Sequence, residues 1–168
     1  MRVPLSTLAA AALLTGLVAT TGAAAPSFVG SFRDWNVYTV DQNGQTICYI
    51  ASVPKKQDGN WNSRGDPALL VTRLPNGSAD EVSVQPGYSF KPESTVEVKI
   101  GGRSWELFTQ GEHAWATTSE DDQALVAAMK AGSDLTVRGT STRDTFSLDT
   151  FSLLGFTAAH QAMVQACQ

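Results

Sequence analysis

From Trp35 onward, short segments rich in apolar, aromatic and β-branched residues alternate with turn residues, which is typical of β-strands. Residues 35–40 and 45–50 are two such segments, and the Asn43-Gly44 dipeptide between them favours a tight hairpin turn. Residues 68–74 form an apolar run that predicts a central strand, and residues 81–84 predict a shorter one. The pattern therefore indicates an antiparallel β protein.

A second hairpin is predicted where residues 96–100 and 103–108 flank Gly101-Gly102. A two-residue loop fixes the register of the strands and places Val98 opposite Trp105 on one face. That face carries the apolar residues, whereas the other face is charged or polar. We therefore expect Trp105 to lie in the core.

Two helices interrupt the strands. Ser119 is a suitable N-cap with Asp122 at the capping-box position, and Gly132 ends this helix. The second helix is predicted over residues 156–166, where a stripe of residues four apart points Cys167 towards the sheet.

The pattern as a whole predicts a mostly β fold: an antiparallel β-sandwich or a partly closed β-barrel with two short helices, one of them C-terminal. Residues 134–139 and 145–154 predict further strands between the helices. Residues 54–67, with two prolines and two glycines among polar residues, predict an exposed loop. No repeat or interdomain linker is present in the sequence.

Residues 1–24 have the features of a cleaved export signal. Arg2 supplies the positive start, and residues 5–19 form an apolar run too short and too rich in small side chains for a membrane span. A small-residue series follows and favours cleavage after Ala24 over cleavage at the bond before Pro26. The alternative is an uncleaved anchor or a buried helix.

Residues 25–168 then form a single domain that is mildly acidic. The formal net charge of the full chain is −4, and removal of Arg2 with the signal makes it −5. Such a chain lacks the positive charge expected for binding nucleic acid or anionic lipid. No second apolar stretch is long enough to span a membrane, so we expect no integral span after cleavage.

The sequence contains two cysteines, Cys48 and Cys167. Because an exported chain meets an oxidising environment and neither cysteine has another partner, they predict one structural disulfide. Cysteine catalysis is excluded on the same ground.

The sequence shows no motif that specifies a reaction, a metal or a cofactor. His113 and His160 have no ligand partners at zinc spacing, and no nucleophile elbow, phosphate-binding loop or dinucleotide fingerprint is present. The acidic residues 120–122 could suggest calcium, but their position at a helix start accounts for them. We therefore predict no catalytic residue, no metal site and no cofactor.

Candidate partner-binding residues lie in the polar loop. Trp61 is surrounded by polar residues, so we expect it to be an exposed aromatic. Arg64-Gly65-Asp66 is the tripeptide that host integrins recognise, although a simple turn into Pro67 also explains it. We expect substitution of Trp61 or Arg64 to leave folding nearly intact and to weaken partner binding.

Several spaced blocks resemble the invasion-associated locus B family, in the family's order and with both cysteines. They are residues 47–56, 64–67, 81–84, 87–88, 114–116, 125–130, 149–153 and 155–159, the last followed by Cys167. One departure lies in the turn at residues 139–145, where Asp144 stands in place of a glycine.

The resemblance implies an exported, non-enzymatic protein of Gram-negative bacteria, periplasmic or associated with the outer membrane. It also implies a protein partner in the envelope or on a host cell, because some family members take part in host-cell invasion. Two alternatives stay open. A periplasmic enzyme would need a buried carboxylate near His113, and a small-ligand carrier would need a barrel interior that side chains leave unfilled.

We predict that the mature protein begins near Ala25 and is recovered in the periplasmic or outer-membrane fraction, because residues 1–24 have the order of a signal peptide. N-terminal sequencing of protein from fractionated cells tests this. A chain that still begins at Met1 and is found in the cytoplasm would contradict it.

Overall fold

The computed structural model describes residues 24–73 and 79–168. The predicted signal peptide, apart from Ala24, and the last residue of the predicted strand 68–74 lie outside the described residues. The strands and helices run in chain order as β1 (Ser27–Phe32), β2 (Trp35–Gln42), β3 (Gln45–Ser52), β4 (Lys56–Gly59), β5 (Ala68–Arg73), β6 (Asp80–Gln85), β7 (Thr95–Ile100), β8 (Arg103–Gln110), β9 (His113–Trp115), α1 (Ser119–Ala131), β10 (Asp134–Thr140), β11 (Phe146–Ser152) and α2 (Phe156–Ala166).

All the described strands belong to one antiparallel sheet of 11 strands, in the order β1-β2-β3-β5-β6-β9-β8-β7-β10-β11-β4. The sheet is open, with β1 and β4 at its two edges. The predicted mostly β, antiparallel fold with two helices, one of them C-terminal, is confirmed. It takes the form of a single sheet that curls without closing.

The curl follows from the short connection between β3 and β4. Residues 53–55 join these strands, although β3 lies near one edge of the sheet and β4 forms the other. Three residues span only about 10 Å, so the part of the sheet that contains β3 must lie close to the opposite edge, which β4 forms. A backbone hydrogen bond from the N–H of Asp34, between β1 and β2, to the carbonyl of Leu154, after β11, connects the two parts.

The two predicted hairpins are confirmed. In the β2–β3 turn, Asn43 and Gly44 both have positive φ, as a two-residue hairpin loop of this kind requires. In the β7–β8 hairpin Val98 pairs with Trp105. Three strands, β1, β4 and β9, were not predicted from the sequence, and β4 lies within the segment predicted to be a loop.

The tryptophan that fills the core is Trp35, which is fully buried. Its indole Nε1 donates to the carbonyl of Ser152 at 3.0 Å, and its ring meets Phe156 of α2 edge-on at 4.9 Å. Trp105 is only half-buried and packs against the core from its margin, so the prediction that it lies within the core is wrong, and Trp115 is half-buried as well. They lie on strands near the middle of the sheet but at positions where its surface is not fully covered.

Helix α1 begins differently from the prediction. The N-cap is Thr118, whose hydroxyl accepts from the backbone N–H of Asp121, so the assignment of Ser119 as the cap is wrong. Asp122 does not complete a capping box, because its carboxylate accepts from the backbone N–H of Val82 in β6 at 2.9 Å. The helix ends before Gly132, as predicted.

Cys48 and Cys167 form a disulfide that joins β3 to the end of α2. Their Cα atoms are 5.9 Å apart and they are separated by 119 positions in the sequence. Cys48 is fully buried, and Met163 and Ala159 of α2 are buried on the same stripe as Cys167. The bridge therefore ties the last helix to the first hairpin.

We predict that replacing both cysteines by serine lowers the free energy of unfolding by about 2–5 kcal/mol, because the bridge restricts a long loop in the unfolded chain. Chemical denaturation of the double variant beside oxidised wild type measures the loss, with reduced wild type as the control. Free-thiol titration of unfolded, non-reduced wild type should find no thiol. Equal stability of all three samples would contradict the prediction.

Candidate functional site

A surface groove of about 350 Å³ lies where three loops meet, and we call it the Trp61 groove. Its lining comes from residues 61–64 after β4, residues 87–89 after β6, and the turn between β10 and β11. The turn contributes Ser141, Thr142, Arg143 and Thr145. A cavity of this size is in the range that holds small ligands or an anchoring side chain.

The groove is built on a buried ion pair between Arg64 and Asp149. Arg64 Nη1 donates to Asp149 Oδ2 at 2.7 Å and Nη2 donates to Oδ1, and the two side chains are 2% and 4% exposed. The guanidinium also donates to the carbonyl of Pro86 at 3.1 Å and to the side chain of Gln57 at 2.8 Å. The prediction that the side chain of Arg64 is exposed and makes few contacts is therefore wrong.

Trp61 is half-buried and held in one orientation. Its indole Nε1 donates to the carbonyl of Asp58 at 3.2 Å, and the guanidinium carbon of Arg64 lies 4.6 Å from the centre of its ring. Gly59, with φ +140°, packs so close to it that a Cβ atom would lie 2.8 Å from Trp61 Cδ1. These contacts hold the ring of Trp61 in one orientation.

The second loop is fastened directly to the first. The N–H of Gly65 donates to the carbonyl of Gly87 at 2.8 Å. Gly87 has φ +77°, and a Cβ atom on it would lie 2.2 Å from the carbonyl oxygen of Gly65, so this close approach requires glycine. The Tyr88 hydroxyl forms a 2.8 Å hydrogen bond with Ser147, and burial raises the pKa of Tyr88.

The third wall is the turn at residues 141–145. A 2.7 Å hydrogen bond joins the hydroxyls of Ser141 and Thr145, and Ser141 Oγ accepts from the backbone N–H of Arg143 at 3.1 Å. Asp144, where the family resemblance expects glycine, has φ +60°, which aspartate tolerates better than most residues. Its carboxylate lies 2.5 Å from Lys91 Nζ. The turn thus forms despite the departure.

Asp66, the third residue predicted to contact a partner, lies outside the Trp61 groove. It is exposed and lines a separate depression of about 120 Å³ near Glu112 and His113. Because the guanidinium of Arg64 is buried, Arg64-Gly65-Asp66 cannot present its arginine to an integrin in this conformation. The structure brings Trp61 and Arg64 together and leaves Asp66 apart.

The carboxylates beside His113 are both exposed. Asp66 and Glu112 line the same depression as His113, and neither forms a hydrogen bond with it. The buried histidine is His160, whose Nε2 lies 2.7 Å from Asp80 Oδ2. Among the described residues, no buried carboxylate lies beside His113, which is the feature that the enzyme alternative predicted there.

Two further carboxylates have shifted pKa values. Burial tends to raise the pKa of Asp80, but the contacts with His160 and Arg73 keep it below the usual value. Burial raises the pKa of Asp122 to about 6, and the neighbouring Glu81 adds to that effect. Both groups link β6 to a helix. Neither the contact of Asp80 with His160 nor that of Asp122 with Val82 could be predicted from the sequence, because the partners meet only when the helices pack on the sheet.

Within residues 24–73 and 79–168, no three His, Cys, Asp or Glu side chains are grouped so that they could hold a metal ion. No helix in this part of the chain has the length and apolar character needed to cross a membrane. The core is filled by large side chains such as Trp35, Phe151 and Phe156, which gives no support to a carrier with an internal cavity.

Comparison with known proteins agrees with the blocks noted in the sequence. The family model described as "Invasion associated locus B (IalB) protein" matches residues 35–164. The chain belongs to the invasion associated locus B family. A solved structure of the same fold is the crystal structure of invasion associated protein B from Bartonella henselae, with a TM-score of 0.61 and 19% sequence identity. The match covers 83% of this chain and 97% of that one. No curated protein sequence matches the chain.

We predict that Arg64→Ala lowers the free energy of unfolding by about 3–5 kcal/mol, because it leaves Asp149 buried without its partner. Urea denaturation followed by circular dichroism measures the change. The double variant Arg64→Met, Asp149→Leu, which removes both charges together, should recover much of that loss. A single variant as stable as wild type would show that the pair is not buried in solution.

Proposed function

We propose that this member of the invasion associated locus B family is an exported, non-enzymatic interaction protein of the bacterial envelope. It binds a partner, in the envelope or on a host cell, through the Trp61 groove. Host-cell invasion is the role suggested by the name of the family and by the name of the similar Bartonella henselae protein.

The observation that supports this proposal best is the fixed, half-exposed ring of Trp61. Aromatic side chains that are rigid before binding lose little conformational entropy when they meet a partner, and they supply much of the energy at interfaces. Trp61 meets this condition because Arg64, Asp58 and Gly59 hold it. Polar groups surround it, as at the rim of a binding site.

Two other observations support the exported and non-enzymatic parts of the proposal. The disulfide between Cys48 and Cys167 suits an oxidising compartment such as the periplasm. The buried ionisable pairs, Arg64 with Asp149 and His160 with Asp80, have no nucleophilic side chain bonded to them in the described part of the chain. They therefore support a structural role better than a catalytic one.

Site-specific photo-crosslinking in living cells tests the proposal. A photoreactive amino acid in place of Asn62, which is exposed and lines the groove, should give a discrete crosslinked product with a protein partner. The same amino acid in place of Glu106, exposed on strand β8 away from the groove, is the matched control. Combining the Asn62 replacement with Trp61→Ala should reduce the yield about ten-fold or more.

Equal crosslinking from both positions, or a yield that Trp61→Ala does not change, would contradict the proposal. Circular dichroism and urea denaturation of the Trp61→Ala protein control for misfolding, since the ring of Trp61 lies on the buried guanidinium of Arg64.

A further inference from the structure

We infer that the Trp61 groove recognises an acidic sugar, a pyranose ring that carries a carboxylate. This inference rests on the proposed function and names the chemistry that the same site would bind.

The part of Trp61 that is left for a ligand is an apolar ring surface. Its only hydrogen-bond donor, Nε1–H, is already used by the carbonyl of Asp58, and the guanidinium of Arg64 covers one face. A ligand would therefore contact carbon atoms of the ring and no free hydrogen-bonding group of Trp61. The C–H face of a pyranose is flat and apolar enough to stack on such a surface, whereas its hydroxyl groups point outward to polar neighbours.

Polar side chains with free hydrogen-bonding capacity lie around the ring. Asn62, Ser63 and Thr142 are exposed, line the groove and form no side-chain hydrogen bond with any described residue. The hydroxyls of Ser141 and Thr145, by contrast, already bond to each other. The free amide and hydroxyl groups can each donate and accept, which matches the hydroxyl groups of a sugar.

The groove also carries one positive charge that nothing in the described structure neutralises. The charge of Arg64 is balanced by Asp149, and the neighbouring Asp144 pairs with Lys91. Arg143 lines the groove, is exposed, and makes no ion pair or hydrogen bond through its guanidinium with the described residues. Since no Asp or Glu lines the groove, a guanidinium there favours a carboxylate, which it can bind with two parallel hydrogen bonds.

The size of the groove limits the ligand to a short unit. About 350 Å³ is near the lower end of the range for small-molecule sites, which suits one sugar of a longer chain. Two sources supply sugars with this chemistry: host glycans that end in sialic acid, and glycan strands of the bacterial cell wall from which the stem peptide has been removed, since that peptide otherwise holds the carboxylate of muramic acid in an amide bond. The two share the pyranose ring and the carboxylate.

Titration of the mature protein with four sugars, followed by NMR or calorimetry, tests the inference. The acidic probes are N-acetylneuraminic acid and N-acetylmuramic acid. Their neutral counterparts are the methyl esters of the same two acids, which keep every other group of the sugar. We expect at least one acid to bind at millimolar or lower concentration and about ten-fold or more tightly than its counterpart.

Three variants locate the binding. Trp61→Ala should abolish sugar binding. Arg143→Gln should lower the affinity for the acidic sugar about ten-fold and leave the affinity for its neutral counterpart unchanged. Arg103→Gln is the matched control, because Arg103 is another exposed arginine whose guanidinium lies 4.7 Å from a tryptophan ring, that of Trp105, outside the groove. It should bind as wild type does.

Preference for N-acetylneuraminic acid would assign the site to host glycans, and preference for N-acetylmuramic acid would assign it to the cell wall. Absence of millimolar binding by either acid, or equal loss from Arg143→Gln and Arg103→Gln, would overturn the inference. A protein crosslinked at Asn62 in the absence of sugar binding would overturn this inference alone and leave the proposed function intact.

Discussion

The ion pair of Arg64 with Asp149 is the interaction on which the candidate site depends. The guanidinium reaches β11 through Asp149, β4 through Gln57, and the loop after β6 through the carbonyl of Pro86. A charge buried to this extent is costly unless nearly all its donors are satisfied, and here only Nε–H lacks a hydrogen-bond partner among the described residues. The need to satisfy these donors holds β4, β11 and the loop after β6 in position around Arg64.

The shape of the groove follows from the contacts of Arg64. Because Arg64 cannot move, the ring of Trp61 that lies on it stays in place, and the ring next to the cation partly offsets the cost of burying the charge. Gly87 then brings the neighbouring loop into contact with Gly65. The walls of the groove are thus joined to one another by hydrogen bonds and close contacts. Groups that are already held in place lose less entropy on binding, which is the physical reason for proposing this groove as the binding site.

The curl of the sheet brings the segments that form the groove together. Strand β4 leaves β3 after three residues and pairs with β11, at the opposite edge of the sheet from β1, so residues distant in the sheet order come together. The disulfide between Cys48 and Cys167 secures the other side of the domain, where α2 covers β2 and β3. One end of the molecule is therefore held by a covalent bond and the other by a buried ion pair.

Local patterns were enough to predict the hairpins, both helices, the cysteine pairing and the family, because each depends on periodicity, turn residues, spaced motifs or a count of two cysteines. The burial of Arg64 and the existence of β4 depend instead on distant segments. The four residues of β4 are all exposed and carry no apolar pattern, and Arg64 finds Asp149 85 positions away. The burial of Trp35 also depends on tertiary packing, because α2 covers the strand that carries Trp35 but leaves Trp105 half-buried. A local pattern shows which residues can be buried, but only the assembled fold decides which of them are covered.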